Sequence, residues 1–284
     1  MLGLLLGMGL TSTSSFAQAG APSTGGAAQA GELVWNVATC ETIAASDPSL
    51  ELVSQLCKFA LSYRYLLPDF IVQQKMTSEG SFSKTVITAQ VTFEKGLEHY
   101  SHVAIDGRSA PVSSITENLP NSLGFSSTGE FGPALANLFQ VPGATQFKFL
   151  KFFTLRGMPV AIYSFNVPAE KNSFWTIRFP DGRKLRPGFR GQVWLEKQTG
   201  YLLREEMEPV NLPPGTDMTS AKTAIDYAMT PVGDAGTFLL PVKSESTVCN
   251  LGMLGMGACT TNTLVFHNYR KFGATTRVLT DSQP

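Results

Sequence analysis

The chain has 284 residues, and its 22 basic and 22 acidic side chains cancel, so no net field draws it toward nucleic acid or an anionic membrane surface. Charged residues make up 15%, below the roughly 25% of an average soluble domain. The 19 Phe, 7 Tyr and 3 Trp supply apolar surface for a large core and for a ligand besides.

The opening run MLGLLLGMGL is shorter than the about 20 apolar residues a bilayer span needs, and the Ser/Thr-rich TSTSSF after it leads to Ala17-Gln18-Ala19. Residues 1–19 read as a signal peptide cleaved after Ala19, which makes the protein periplasmic or secreted and leaves no transmembrane segment in the mature chain. Residues 20–32, mostly Gly, Ala, Ser and Thr, read as a flexible linker, and 33–284 as one domain. Four cysteines fit an oxidising compartment and allow three pairings. Cys40 with Cys57 and Cys249 with Cys259 are favoured, because each pair lies close in sequence and closes a small loop. Intervening gaps of 16 and 9 residues do not match zinc-ligand spacing.

Asp47-Pro48 supplies an N-cap and a first-turn proline. Leu52, Val53, Leu56, Phe59, Ala60, Tyr63 and Leu67 then recur at helical spacing, predicting a helix over 48–66 that ends before Pro68. Extended segments follow. Ile87, Ala89, Val91 and Phe93 alternate with polar residues, Lys95-Gly96 turns the chain into Leu97–Ile105, and Asp106-Gly107 turns it again. Residues 110–129 read as a long surface loop and 132–140 as a short helix carrying Leu135, Leu138 and Phe139. In the strand that starts at Phe147, Phe149, Phe153 and Leu155 are expected on one face, with Leu150 and Phe152 on the other. Apolar residues on both faces call for cover or a cavity.

Arg156-Gly157 turns into a strand over 158–168, and 173–180 reads as another, with Trp175 on its apolar face. The central hairpin, Gly191 to Met207, turns at Lys197-Gln198-Thr199-Gly200. A Pro/Gly loop over 211–219 precedes strands over 223–232, 238–248 and 261–272, with an edge strand over 275–279. The expected fold is mainly β (α+β): a single curved antiparallel sheet, an unclosed half-barrel of about eleven strands with one long and one short helix on the concave side.

No reactive constellation emerges. His99 and His102 lie an odd number of residues apart on one strand, and G-x-S-x-G, H-E-x-x-H and Walker motifs are absent. No catalytic residue, metal or cofactor is expected. Glu196, Arg204, Glu205 and Glu206 read as a charge cluster on a solvated sheet face. The segment between Cys249 and Cys259 is apolar for a loop and presents Leu254 and Met256.

Gln192 to Glu206 runs strand, acidic residue, Thr-Gly turn, basic residue on the return strand. On that hairpin, and on the order helix, meander, late hairpin and export signal, the chain resembles the LolA/LppX/RseB-like periplasmic lipoprotein-carrier superfamily. It is also similar to a group of exported bacterial proteins with Leu-Pro-Asp-Phe after the first helix (Leu67 to Phe70) and Tyr-Arg-Lys-Phe near the end (Tyr269 to Phe272). The resemblance implies an unclosed half-barrel whose concave apolar face accepts acyl chains.

The expected function is that of an exported, non-enzymatic binding protein holding a lipid or acyl chain, its partner a free lipid or a lipoprotein. Phe149, Phe153, Phe165, Trp175 and Trp194 are expected to line the cleft, and Leu254 and Met256 to form its lip. The alternative is an envelope structural or sensing module with a filled core and a protein partner.

Overall fold

Short-range chemistry sets the frame. The computed structural model describes residues 39–116 except 82, and 145–273 except 173–175, 179–183, 213–217 and 252–256, with 131, 135, 136, 138, 139 and 143 between them. Asp47 accepts a hydrogen bond from the Ser49 N–H (2.9 Å), Pro48–Leu50 form one 3-10 turn, and α1 continues as Glu51–Leu66. An Asp47→Ala variant is expected to lose about 1 kcal/mol, read as a lower urea midpoint at unchanged slope. Residues 39–46 are helical as well, with Cys40, Ile43 and Ala44 on their less exposed side. Cys40 on that segment and Cys57 on α1 stand at disulfide distance, with Cα atoms 5.5 Å apart, clipping the two helical segments together.

The strands are β1 (Phe70–Glu79), β2 (Lys84–Glu94), β3 (Leu97–Ile105), β4 (Arg108–Ser109), β5 (Gln146–Leu155), β6 (Met158–Val167), β7 (Ile177–Arg178), β8 (Lys184–Leu185), β9 (Gly188–Glu196), β10 (Leu202–Val210), β11 (Met218–Pro231), β12 (Thr237–Leu251) and β13 (Gly257–Lys271). Lys95-Gly96, Asp106-Gly107 and Arg156-Gly157 each place two successive residues at φ between 47° and 82°. That is the type I′ geometry whose twist matches the flanking strands. Eleven strands form one antiparallel sheet in the order β4-β3-β2-β1-β13-β12-β11-β10-β9-β6-β5, which does not close into a barrel. The first strand pairs with the last, β1 with β13, so two meanders join at the middle of the sheet.

The segment around Trp175 differs from expectation. Only the two-residue strands β7 and β8 are described there, and they pair with each other outside the main sheet. The expected helix over 132–140 is described only in part, with Leu135, Leu138 and Phe139 buried. The expected edge strand over 275–279 lies outside the described residues.

One face of the sheet, called inner here, lies under α1. Val53, Leu56, Cys57 and Ala60 of the helix pack with Tyr163, Phe165, Val193, Leu195, Leu202, Ile225 and Tyr227 of the strands in one core cluster. Two phenols pin the contact: Tyr163 Oη donates to the Ser49 carbonyl (3.0 Å), and Tyr63 Oη to the Leu239 carbonyl (2.6 Å). Farther along, β1, β2 and β13 close over Phe131, whose ring meets those of Phe70, Phe266 and Tyr269 edge-on.

Candidate ligand-binding face

Side chains alternate along a strand, so pairing register tells which residues share a face. Phe147 pairs with Phe165 and Phe149 with Tyr163, all on the inner face. A bulge between Phe149 and Lys151 then adds one residue and reverses the alternation. Beyond it Phe152 opposite Ala161 is inner, while Phe153 opposite Val160 is outer. The expected grouping of Phe149 with Phe153 is thus corrected by one inserted residue. Trp194 pairs with Ile162 and also stands on the outer face, where the Arg204 guanidinium lies 5.9 Å from its ring. Of the residues expected to line one cleft, Phe149 and Phe165 are brought together and Phe153 and Trp194 are placed behind them. Trp175, Leu254 and Met256 lie outside the described residues. Cys249 and Cys259 face each other across β12 and β13 at disulfide distance, with Cα atoms 4.0 Å apart.

The inner face carries an aromatic row with two branches. Ring centroids lie 6.2 Å apart from Phe189 to Phe165, 6.2 Å from Phe165 to Phe147, and 5.5 Å from Phe147 to Phe139. A second branch runs from Tyr163 to Phe149 (5.6 Å) and on to Phe152 (5.0 Å). Exposure rises along it. Tyr163 is 3% exposed beneath the helix, Phe149 is half-buried, and Phe152 reaches 60% at the sheet edge, where Lys197 Nζ sits 4.1 Å from its ring centroid.

Gly191 lets this row form. It stands opposite Phe165 on one side and Met207 on the other, and the Phe165 ring covers the space a side chain would fill. Gly200, at φ +70°, keeps the hairpin turn close to Gln55 of α1.

Charges divide between the faces. On the outer face Asp226 accepts from Arg156 and Arg204, both at 2.8 Å, and Glu206 accepts from Arg204 (2.8 Å) and Lys222 (2.7 Å). Burial alone would push Glu206 up, but Lys222 and Arg204 outweigh it and hold its carboxyl below the usual carboxylate range. Glu205, between Arg204 and Glu206 in sequence, projects to the inner face instead, opposite Val193 on β9 and Ile225 on β11. It is 0% exposed, and neither carboxylate oxygen has a hydrogen-bond partner among the described residues. Burial pushes its pKa up to about 7. Ser244, opposite Ile225 on β12, is likewise fully buried with its hydroxyl unmatched among the described residues. The expectation that Glu205 shares the solvated face of Glu196, Arg204 and Glu206 is thus corrected; the signal that separates it is Met207, two residues on and of the same face.

No family model matches the chain, and no curated protein does. Solved structures overlap it. A LolA superfamily protein from Nitrosomonas europaea aligns with 78% of this chain and 94% of its own at 10% identity and a TM-score of 0.37. The lipoprotein LppX of Mycobacterium tuberculosis aligns with 81% of this chain and 98% of its own at 10% identity and a TM-score of 0.31. The open sheet under a helix stands on the strand pairing described above, independently of these overlaps.

Proposed function

We propose that this chain is an exported, non-enzymatic binding protein that holds a lipid or acyl chain against the inner face of its open sheet. One observation carries the reading: the aromatic branch emerges from burial at Tyr163 through Phe149 to wide exposure at Phe152 on the same face, as the lining of a cleft does at its mouth. Apolar rings that run on without a break from a core into water, rather than standing singly on the surface, are the pattern of a ligand or interaction site. Each methylene buried along the row contributes about 0.8 kcal/mol, so eight to ten of them contribute about 6 to 8 kcal/mol, which corresponds at most to affinities from tens of micromolar to about one micromolar.

Two cysteine pairs at bonding distance support export, since such pairs persist in oxidising compartments. Among the described residues no helix is long and apolar enough to cross a membrane. The proposed organisation is a signal peptide over 1–19, a linker over 20–32 and a single domain from 33 onward.

The test is native mass spectrometry of the purified protein, followed by organic extraction and titration with the neutral fluorophore N-phenyl-1-naphthylamine. Bound lipid, or fluorophore binding weakened about tenfold by Phe149→Ser with Phe152→Ser, is the expected result. A folded protein that carries no lipid and takes up no fluorophore overturns it. The second reading, an interaction module, is favoured by one observation: β5 ends the sheet as an edge with Leu150, Phe152 and Phe153 exposed. An unpaired edge of this kind is a template for a partner strand, so capture of a defined protein by an otherwise lipid-free chain supports it.

A further inference from the structure

The interior of the inner face is apolar around Glu205. The face-sharing residues of β9 are Phe189, Gly191, Val193 and Leu195; those of β11 are Ala221, Thr223, Ile225 and Tyr227; Leu202 and Met207 share the face on β10 itself. None of them is basic. The nearest cations in sequence and register, Arg204 and Lys222, stand on the outer face and are engaged there with Glu206 and Asp226.

A carboxyl placed so is costly. Removing a hydrogen-bonding group from water without a partner costs on the order of 1 to 3 kcal/mol, and more for a charge. An apolar residue of similar size would fill the space at no such cost. Thr223 and Ser246, one step along the same face, show how buried polar groups are ordinarily handled, with their hydroxyls 3.0 Å apart in a mutual hydrogen bond. The Ser244 hydroxyl lies two strands from Glu205, about 10 Å across the sheet, with only Ile225 between them in register.

We propose that Glu205 receives the cationic head, a primary ammonium, of the amphiphile whose chain lies along the aromatic row. Ser244 is a second acceptor for polar groups on the same head. The inference rests on the apolar-ligand reading given above and adds to it the charge of the ligand. A carboxylate accepts up to four hydrogen bonds and donates none. In a medium of low polarity an ammonium supplies both the donors and the charge that it lacks. An anionic head, carboxylate or phosphate, meets only repulsion at this position.

The test displaces N-phenyl-1-naphthylamine from the full chain at pH 8 with three twelve-carbon competitors that differ only at the head: dodecylamine, dodecanol and dodecanoate. In the wild type dodecylamine is expected to displace the fluorophore at a concentration at least tenfold below that of dodecanoate, with dodecanol between. Glu205→Gln, nearly isosteric, is expected to bring the three within about twofold while fluorophore binding persists. Glu206→Gln, on the outer face, keeps the wild-type order. Equal displacement by all three in the wild type overturns the proposal and leaves the apolar-ligand reading standing, as does a preference for the amine that survives Glu205→Gln. Absence of binding by the fluorophore and by every competitor overturns both. Should the Gln variant fail to fold, the wild-type comparison decides alone.

Discussion

Replacing Gly191 by alanine is expected to lower the stability of the domain by about 4 kcal/mol, near the upper end for a single substitution. The new Cβ would lie inside the van der Waals envelope of the Glu206 carbonyl oxygen and 2.5 Å from Cζ of Phe165. A rotamer change relieves only the second of these. The carbonyl belongs to β10 in the middle of the sheet, between β9 and β11, so its displacement strains pairing on both sides. Phe165 in turn packs against Phe147 and Phe189, and a shift of its ring spreads through the aromatic row. For a domain of this size the loss corresponds to a fall of about 8 to 16 °C in the unfolding midpoint. Thermal and urea unfolding of Gly191→Ala measure it. A change below about 1 kcal/mol would show that the two strands can part at this point, and the close approach would then not be what Gly191 is for.

The parts of this fold that are legible in the sequence are those decided by neighbouring residues. Asp47-Pro48 and the 3.6-residue spacing through Tyr63 define α1 because cap, proline and apolar stripe all act within a few turns. Lys95-Gly96, Asp106-Gly107 and Arg156-Gly157 specify hairpins because few other pairs tolerate two successive positive φ angles. The favoured cysteine pairs are legible for the same reason, each closing a short span. What is illegible depends on partners far away in the chain. The bulge after Phe149 exists only against β6, and nothing in Phe-Leu-Lys-Phe-Phe announces it. It nevertheless decides that Phe152 joins the aromatic row and that Phe153 does not. The helical turns over 39–46 carry an apolar stripe of only Cys40, Ile43 and Ala44, too short to stand out by periodicity, and they are held by burial of Cys40 against α1. Glu205 looks like one more surface charge in Arg-Glu-Glu-Met until the register fixes which residues share a face with Met207. The candidate site was therefore half visible: its aromatic character follows from composition, its polar centre only from strand alternation carried across the sheet.

A Glu205→Gln variant is expected to be more stable than the wild type at pH 8 by about 3 kcal/mol and equally stable near pH 4. The carboxyl has a folded pKa of about 7, above its ordinary 4.5, because it is wholly buried. The folded state thus binds the proton more tightly than the unfolded chain, and stability falls as pH rises wherever the folded state holds the extra proton. The contribution is fully present below about 4.5, declines between 4.5 and 7, and is gone above that; the interval corresponds to about 3 kcal/mol. Glutamine has no proton to lose, so its variant should show no such decline. No counter-charge offsets the effect within the described surroundings. Val193 and Ile225 flank the carboxyl, the helix above the cluster presents Val53, Leu56, Cys57 and Ala60, and Arg204 and Glu206 face the other way. At pH 8 the variant's unfolding midpoint should exceed that of the wild type by about 6 to 12 °C, and the gap should close as the pH is lowered to 4. A gap that is equal at both pH values would mean that packing rather than charge separates the two proteins, and no gap at either would mean that the carboxyl is solvated. Saturation with dodecylamine at pH 8 should raise the wild type toward the variant, because an ammonium partner removes the cost of the buried charge. That result ties the instability to the ligand: a group that weakens the empty protein and is relieved when the cleft is loaded belongs to a site kept for binding at the expense of stability.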